Sequence, residues 1–270
     1  MSERDTRFPP RQKPRGPGGR PGGRPAWRDR EERSSDGPTI LYGWHTVTAA
    51  LANPRRQIRR LLLTENAARR LAEEHIDTRV TPELVRPSLI DQRLGPDAVH
   101  QGLLAEADPL PAPEMDALAR GGMVLVLDQI TDPHNVGAIM RSAAAFGVTA
   151  IITTARHSPE ATGVLAKAAS GALELVPIVT VQNLARGLTA LKERGFLLVG
   201  LDSSAPDDLT AIELRSPLAL VLGAEGKGLR QLTGATCDRL AWLNLPGAIK
   251  SLNVSNAAAL ALYIAARAIT

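Results

Sequence analysis

From residue 119 onward, short apolar runs alternate with stretches of helical periodicity, and this alternation constrains the fold more than any other property of the chain. The runs fall at 123–127, 150–153, 197–201, 218–222 and 241–245, and the helical stretches at 136–146, 161–170, 184–194 and 255–268. Runs that stay apolar without alternating are strands covered on both faces, and strands that return through helices lie parallel. The expected class is therefore α/β with a parallel sheet. Such a sheet binds its ligand beyond the carboxyl ends of its strands, so the residues just after each run carry the functional information.

Ahead of this region, Asp108-Pro109-Leu110-Pro111-Ala112-Pro113 reads as a linker, assigned to 109–118, between a first piece over 38–108 and a second over 119–270. The first piece has a strand pattern at 58–63 and a helical pattern at 65–74, as in a small α/β module. Its basic cluster, Arg55, Arg56, Arg59 and Arg60, is expected at the surface, either simply solvated or facing RNA. The chain carries a formal charge of +4, yet residues 1–35 alone hold ten Lys/Arg against five acids, together with six Pro and five Gly. Basicity thus belongs to a tail, 1–36, that is too poor in apolar groups to offset the entropy of ordering and is expected to be disordered. It would act as a salt-sensitive tether for nucleic acid that does not itself select a site.

Several classes are excluded. The apolar runs are far shorter than the ~20 residues of a membrane span. A charged, Pro-rich start is no secretory signal, and the single Cys237 forms no internal disulfide, so a reducing cytoplasm is the expected setting. No His/Cys/Asp/Glu cluster has metal-ligand spacing, and no metal is expected. His134 and His157 are expected as plain surface residues and Cys237 as an inert thiol.

Three strand ends hold more polar and glycine residues than a connecting loop needs. The first runs Asp128-Gln129-Ile130-Thr131-Asp132-Pro133-His134-Asn135-Val136-Gly137 to Arg141. Pro133 is expected to hold the loop extended, Asn135 to cap the next helix, and Arg141 to stand in its second turn. The second is Gly223-Ala224-Glu225-Gly226-Lys227-Gly228, which lacks the spacing of a phosphate-binding P-loop and does not follow the first strand of a dinucleotide unit. The third, from Leu243 to Ala257, alternates Ser251, Asn253 and Ser255 with apolar residues before an Ala-rich helix that Ser255 or Asn256 would cap. A nucleotide-dependent dehydrogenase is disfavoured by the missing first-strand fingerprint; an RNA-binding module without catalysis keeps the same loops but leaves their polar residues without a task.

Together the loops resemble the three signature motifs of the SPOUT superfamily of S-adenosylmethionine-dependent RNA methyltransferases, in its TrmH-like 2′-O-ribose branch. The matching residues are Asn135-x-Gly137-x3-Arg141, Gly223-x-Glu225-Gly226-x-Gly228 and Ser251-Leu252-Asn253-Val254-Ser255. The segments 41–47 and 99–103 resemble the entry and exit of the ribosomal-protein-like RNA-binding domain in the bacterial 23S rRNA guanosine-2′-O-methyltransferases. One departure is Leu243-Asn244-Leu245 where the family has Ile-Pro-Met, with proline displaced to Pro246. The resemblance implies a deep trefoil knot in the second domain, a homodimer in which the first motif of one subunit faces the third of the other, and 23S rRNA, rather than tRNA, as substrate. It implies catalytic or positioning roles for Arg141, Asn135, Glu225, Ser251 and Asn253. For the cofactor, S-adenosylmethionine, it implies contacts from Gly223, Leu243, Leu252, Leu245 and Gly228, the glycine at 223 letting the backbone approach the ligand.

Overall fold

The computed structural model describes residues 37–95, 97–155 and 163–269; the expected tail and His157 lie outside the described residues. The chain begins with β1 (Thr39–Tyr42), α1 (Trp44–Ala52), β2 (Ile58–Leu63), α2 (Glu65–Glu73), β3 (Glu83–Leu84), α3 (Pro87–Leu94) and β4 (Leu103–Ala107). These strands form one sheet in the order β1-β4-β2-β3, with β4 antiparallel to both neighbours and β3 parallel to β2. Two local signals start its helices: the Thr64 hydroxyl accepts from the Ala67 N–H at 3.3 Å, and Pro87 occupies a first-turn position where no N–H is needed. Side chains alternate across the sheet. Leu61, Leu63, Leu103 and Ala105 pack with Trp44, Val47 and Leu71, while Leu62 and Leu104 turn to Ile90 of α3.

The second sheet follows: β5 (Met123–Asp128), α4 (Pro133–Ala145), β6 (Val148–Thr154), α5 (Gly163–Ala169), β7 (Ile178–Val181), α6 (Leu184–Glu193), β8 (Leu197–Leu201), β9 (Asp207–Asp208), β10 (Leu218–Gly223), α7 (Gln231–Thr236), β11 (Arg239–Trp242) and α8 (Val254–Ile269). All its pairings are parallel, in the order β7-β6-β5-β10-β8-β11-β9. Both faces are covered. Leu125 and Leu127 pack with Val136, Ile139, Met140 and Leu262 from α4 and α8, whereas Val124 and Val126 pack with Leu184, Leu188 and Leu191 of α6. This double burial is what the unbroken apolar runs require.

Several sequence expectations need correction. The last strand is Arg239–Trp242, not 241–245, because its outer neighbour β9 is only two residues long and the ladder ends at Trp242↔Asp208. Residues 243–253 leave the sheet instead. Pro133 does not extend a loop but opens α4, and the cap is Asp132, whose Oδ1 accepts from the His134 N–H at 3.0 Å. Asn135 is therefore inside the helix, and Arg141 stands in its third turn. At α8 the cap is neither Ser255 nor Asn256 but Asn253, whose Oδ1 accepts from the Ser255 N–H at 2.9 Å. The Arg55–Arg60 cluster is not one surface: Arg56 is 1 % exposed, and Arg60 pairs with Glu83 at 2.5 Å.

Candidate functional site

Neighbouring strands bring the first two loops together. Gly223 lies in register with Asp128, so the loops after β10 and β5 leave the sheet side by side. Asp128 then locks them: its buried carboxylate accepts from Arg230 Nε at 2.7 Å and from the Arg230 N–H at 3.1 Å. Sequence reasoning passed over this pair, although an acid ending an apolar run and an arginine two residues after the last loop glycine were visible signals.

The loop after β10 closes on itself. The N–H groups of Lys227 and Gly228 both donate to the Ala224 carbonyl, at 3.2 and 2.9 Å, and Gly226 and Gly228 take φ values of 74° and 65°, which favour glycine. A Cβ on Gly223 would stand 2.1 Å from the Gly228 carbonyl carbon and 2.4 Å from the Leu229 nitrogen. Gly223 is thus required by the returning loop itself, before any ligand is considered. Gly137 serves helix packing in the same way, since its Cβ would stand 2.4 Å from that of Ala168 on α5.

The third loop meets the first within one chain. Asn253 Nδ2 donates to Asn135 Oδ1 at 3.0 Å, while its Oδ1 accepts from the N–H and hydroxyl of Ser255, which fixes the orientation of the amide. Asn135 Nδ2 has no partner among the described residues and remains a donor beside the loop. From Asn244 to Leu252 no backbone N–H donates to another described residue, and Lys250 Nζ donates to the Leu245 carbonyl at 2.6 Å, stapling the loop. Leu243, Leu245 and Leu252 are half-buried. Apolar flanks beside unspent backbone donors are the chemistry that holds an adenine ring and its polar edge, so this loop fits a nucleoside-bearing cofactor.

The remaining expected residues are not drawn together by contacts. The side chains of Arg141, Glu225 and Ser251 are exposed and make no hydrogen bond or ion pair with a described residue. Arg141 and Asn135 are six positions apart on α4, about 120° around the helix, and so face different directions.

Cys237 is no nucleophile. Burial pushes its thiol up to about 12 from 9.0, and Sγ donates to the Thr233 carbonyl at 3.4 Å. The unfolded thiol ionises first as pH rises, so the stability gained from the protonated thiol is complete below about pH 9 and is lost as pH climbs towards 12. At pH 8, iodoacetamide should label the native protein about 10²–10³-fold more slowly than the urea-unfolded chain. Equal rates would contradict the burial.

Comparison with known proteins gives a consistent picture. The model of the SpoU rRNA Methylase family matches residues 122–263, and that of the RNA 2'-O ribose methyltransferase substrate binding family matches residues 40–113. The chain is 39% identical over 237 residues to the 23S rRNA (guanosine-2'-O-)-methyltransferase RlmB of Ralstonia nicotianae, covering 84% of this chain and 95% of that protein. It is 38% identical over 239 residues to the protein of the same description from Photobacterium profundum, covering 84% and 97%. Among solved structures, the SpoU methyltransferase AviRb of Streptomyces viridochromogenes in complex with AdoMet superimposes with a TM-score of 0.72 at 25% identity, covering 91% of this chain and 93% of that one.

Proposed function

This chain belongs to the SpoU rRNA methylase family, and from that premise we propose that it methylates the ribose 2′-hydroxyl of one guanosine in 23S rRNA. Its methyl donor is S-adenosylmethionine, which supplies an electrophilic methyl group on a sulfonium. The observation that carries the reading is the junction of Asn135 and Asn253, 3.0 Å apart, beside a loop whose N–H groups donate to no other described residue.

In this reading Gly223 and Gly228 shape the loop after β10, and Leu243, Leu245 and Leu252 flank the adenine. Asn135, held by Asn253, turns its Nδ2 towards the ribose, and Glu225 and Ser251 complete the positioning set. A 2′-hydroxyl is a weak nucleophile and must lose its proton as the methyl group arrives. Arg141 does not take that proton, since a guanidinium offers only N–H donors and no acceptor. It holds an RNA phosphate beside the target ribose and stabilises the developing alkoxide, and the phosphate or water receives the proton.

The exposed position of Arg141 supports a homodimer. Leu260 and Tyr263 of α8 are 44 % and 52 % exposed, and Tyr263 stacks edge-on against Phe146 at the end of α4. Covering this face with a second copy would bring Arg141 of one subunit to the third loop of the other. Residues 38–108 then serve as the ribosomal-protein-like RNA-binding domain, residues 119–270 as the catalytic domain with its trefoil knot, and the setting is the cytoplasm. Incubation of the purified protein with labelled S-adenosylmethionine tests the assignment: label should enter 23S rRNA transcripts and not tRNA. Preferential labelling of tRNA would redirect the substrate, and absence of cofactor binding by calorimetry would remove the enzyme reading.

A further inference from the structure

The segments 41–47 and 99–103, expected to mark the ends of an RNA-binding domain, bear on the catalytic half of the molecule. The Thr46 hydroxyl donates to the Ala166 carbonyl of α5 at 3.1 Å. Gln101 Oε1 accepts both from the Trp44 N–H at 2.9 Å and from Lys167 Nζ of α5 at 3.3 Å. The Ala166 side chain is fully buried within the apolar cluster of the first module. Just beyond α5, Glu174 receives Arg56 in a buried ion pair with side chains 1 % and 3 % exposed: Arg56 Nε lies 3.1 Å from both carboxylate oxygens, and Asn53 Nδ2 donates to the same carboxylate at 2.7 Å. Arg56 Nη1 completes its set on the Asp108 carbonyl at 2.7 Å, at the start of the proline-rich connection.

α5 is also the helix on which α4 rests, through Gly137 against Ala168 and Ala169. One short helix thus stands between the first module and the element that carries Asn135 and Arg141. A fully buried charge pair is a poor source of net stability, because desolvation offsets most of its attraction, but removing one partner is costly. Such a pair tolerates one docked geometry and penalises others. Each half draws its apolar cluster mainly from its own residues, with Ala166 the second half's buried contribution to the first, so neither needs the charge pair to form its core.

We propose that Arg56, Glu174, Asn53 and Gln101 form a built joint across α5 that sets the first module at a fixed placement relative to α4, and thereby decides which ribose of a bound RNA reaches the site. This rests on the methyltransferase reading above. The four are positioning residues and touch neither donor nor hydroxyl.

The test uses the full chain and the variant Glu174→Gln, which leaves Arg56 buried without a counter-charge. Three readouts are combined: steady-state methylation of a 23S rRNA fragment with mapping of the modified positions, calorimetric titration with S-adenosylmethionine, and small-angle scattering of the free protein. Opening of the joint should raise KM for RNA about tenfold and add methylation at neighbouring riboses, with kcat and cofactor affinity within about twofold of wild type. The radius of gyration should rise as well. Should Glu174→Gln fail to fold, Gln101→Ala, at the outer end of the joint, is read by the same constants. Unchanged KM and site choice in a folded variant would overturn the proposal, as would a fall in kcat and cofactor affinity at constant KM, which would place Glu174 in support of the catalytic core. If wild type itself neither bound the cofactor nor methylated RNA while the variant still expanded, the methyltransferase reading would fail and the joint would stand.

Discussion

Replacing Arg141 by alanine should lower kcat for RNA methylation by about 10²–10³-fold, the loss expected when a preorganised donor to a developing oxyanion is removed. The side chain is exposed and unpaired with any described residue, so its removal leaves no buried group without a partner and should not change thermal stability. Affinity for S-adenosylmethionine should also persist, because α4 presents Arg141 away from the face on which Asn135 meets Asn253. Arg141→Lys separates the two electrostatic roles. Lysine keeps the charge but not the planar fork that grips a phosphate from two nitrogens, and it should recover less than about a tenth of wild-type kcat. Near wild-type turnover by the lysine variant would show that charge alone suffices. A loss of cofactor affinity in the alanine variant would place Arg141 in the donor site instead.

Gly223→Ala should also have a large effect, by a different route. The added methyl would overlap the carbonyl carbon and oxygen of Gly228, at 2.1 and 2.2 Å, and these are backbone atoms that cannot rotate aside. The loop must open, breaking the Ala224–Gly228 bridge and straining the approach of Arg230 to Asp128. Overpacking of this kind costs about 1–3 kcal/mol or more. Most of it should appear as lost cofactor affinity, since the loop is the part that yields: calorimetry should show binding weakened by at least about tenfold. Because β10 is central in its sheet and fully paired, circular dichroism should still report a folded domain. Wild-type cofactor affinity in this variant would contradict the closed loop.

The parts of the fold that were legible in sequence are those where burial acts on consecutive residues. β5 and β8 lie between two covered neighbours, and their runs MVLVL and LLVGL stand out because both faces are buried. β7, IVTV, was passed over because it is short and carries an exposed threonine at the sheet edge. The end of β11 was misplaced because Leu243 and Leu245 continue an apolar pattern past the last pairing partner, which lies in another strand. The loops could be located, but not their contacts. Asn135 and Asn253 meet across 118 residues, and so do Arg56 and Glu174. Nothing within the run Arg55-Arg56-Gln57-Ile58-Arg59-Arg60 distinguishes the arginine that is buried from those that are not; the acid that decides it lies in another part of the chain. Helix starts were misjudged by local composition for a related reason. Several residues in Thr131-Asp132-Pro133-His134-Asn135 favour capping, and only the position of Pro133 within the first turn selects Asp132.

One guanosine of 23S rRNA should receive its ribose methyl group from this protein. Nucleotide-resolution mapping of 2′-O-methylation across 23S rRNA and tRNA, in cells lacking the protein and in cells complemented with wild type or Arg141→Ala, tests it most directly. A single 23S guanosine should lose its methyl group in the deleted cells, wild type should restore it and the Arg141 variant should not. An unchanged 23S profile, or a loss confined to tRNA, would contradict it.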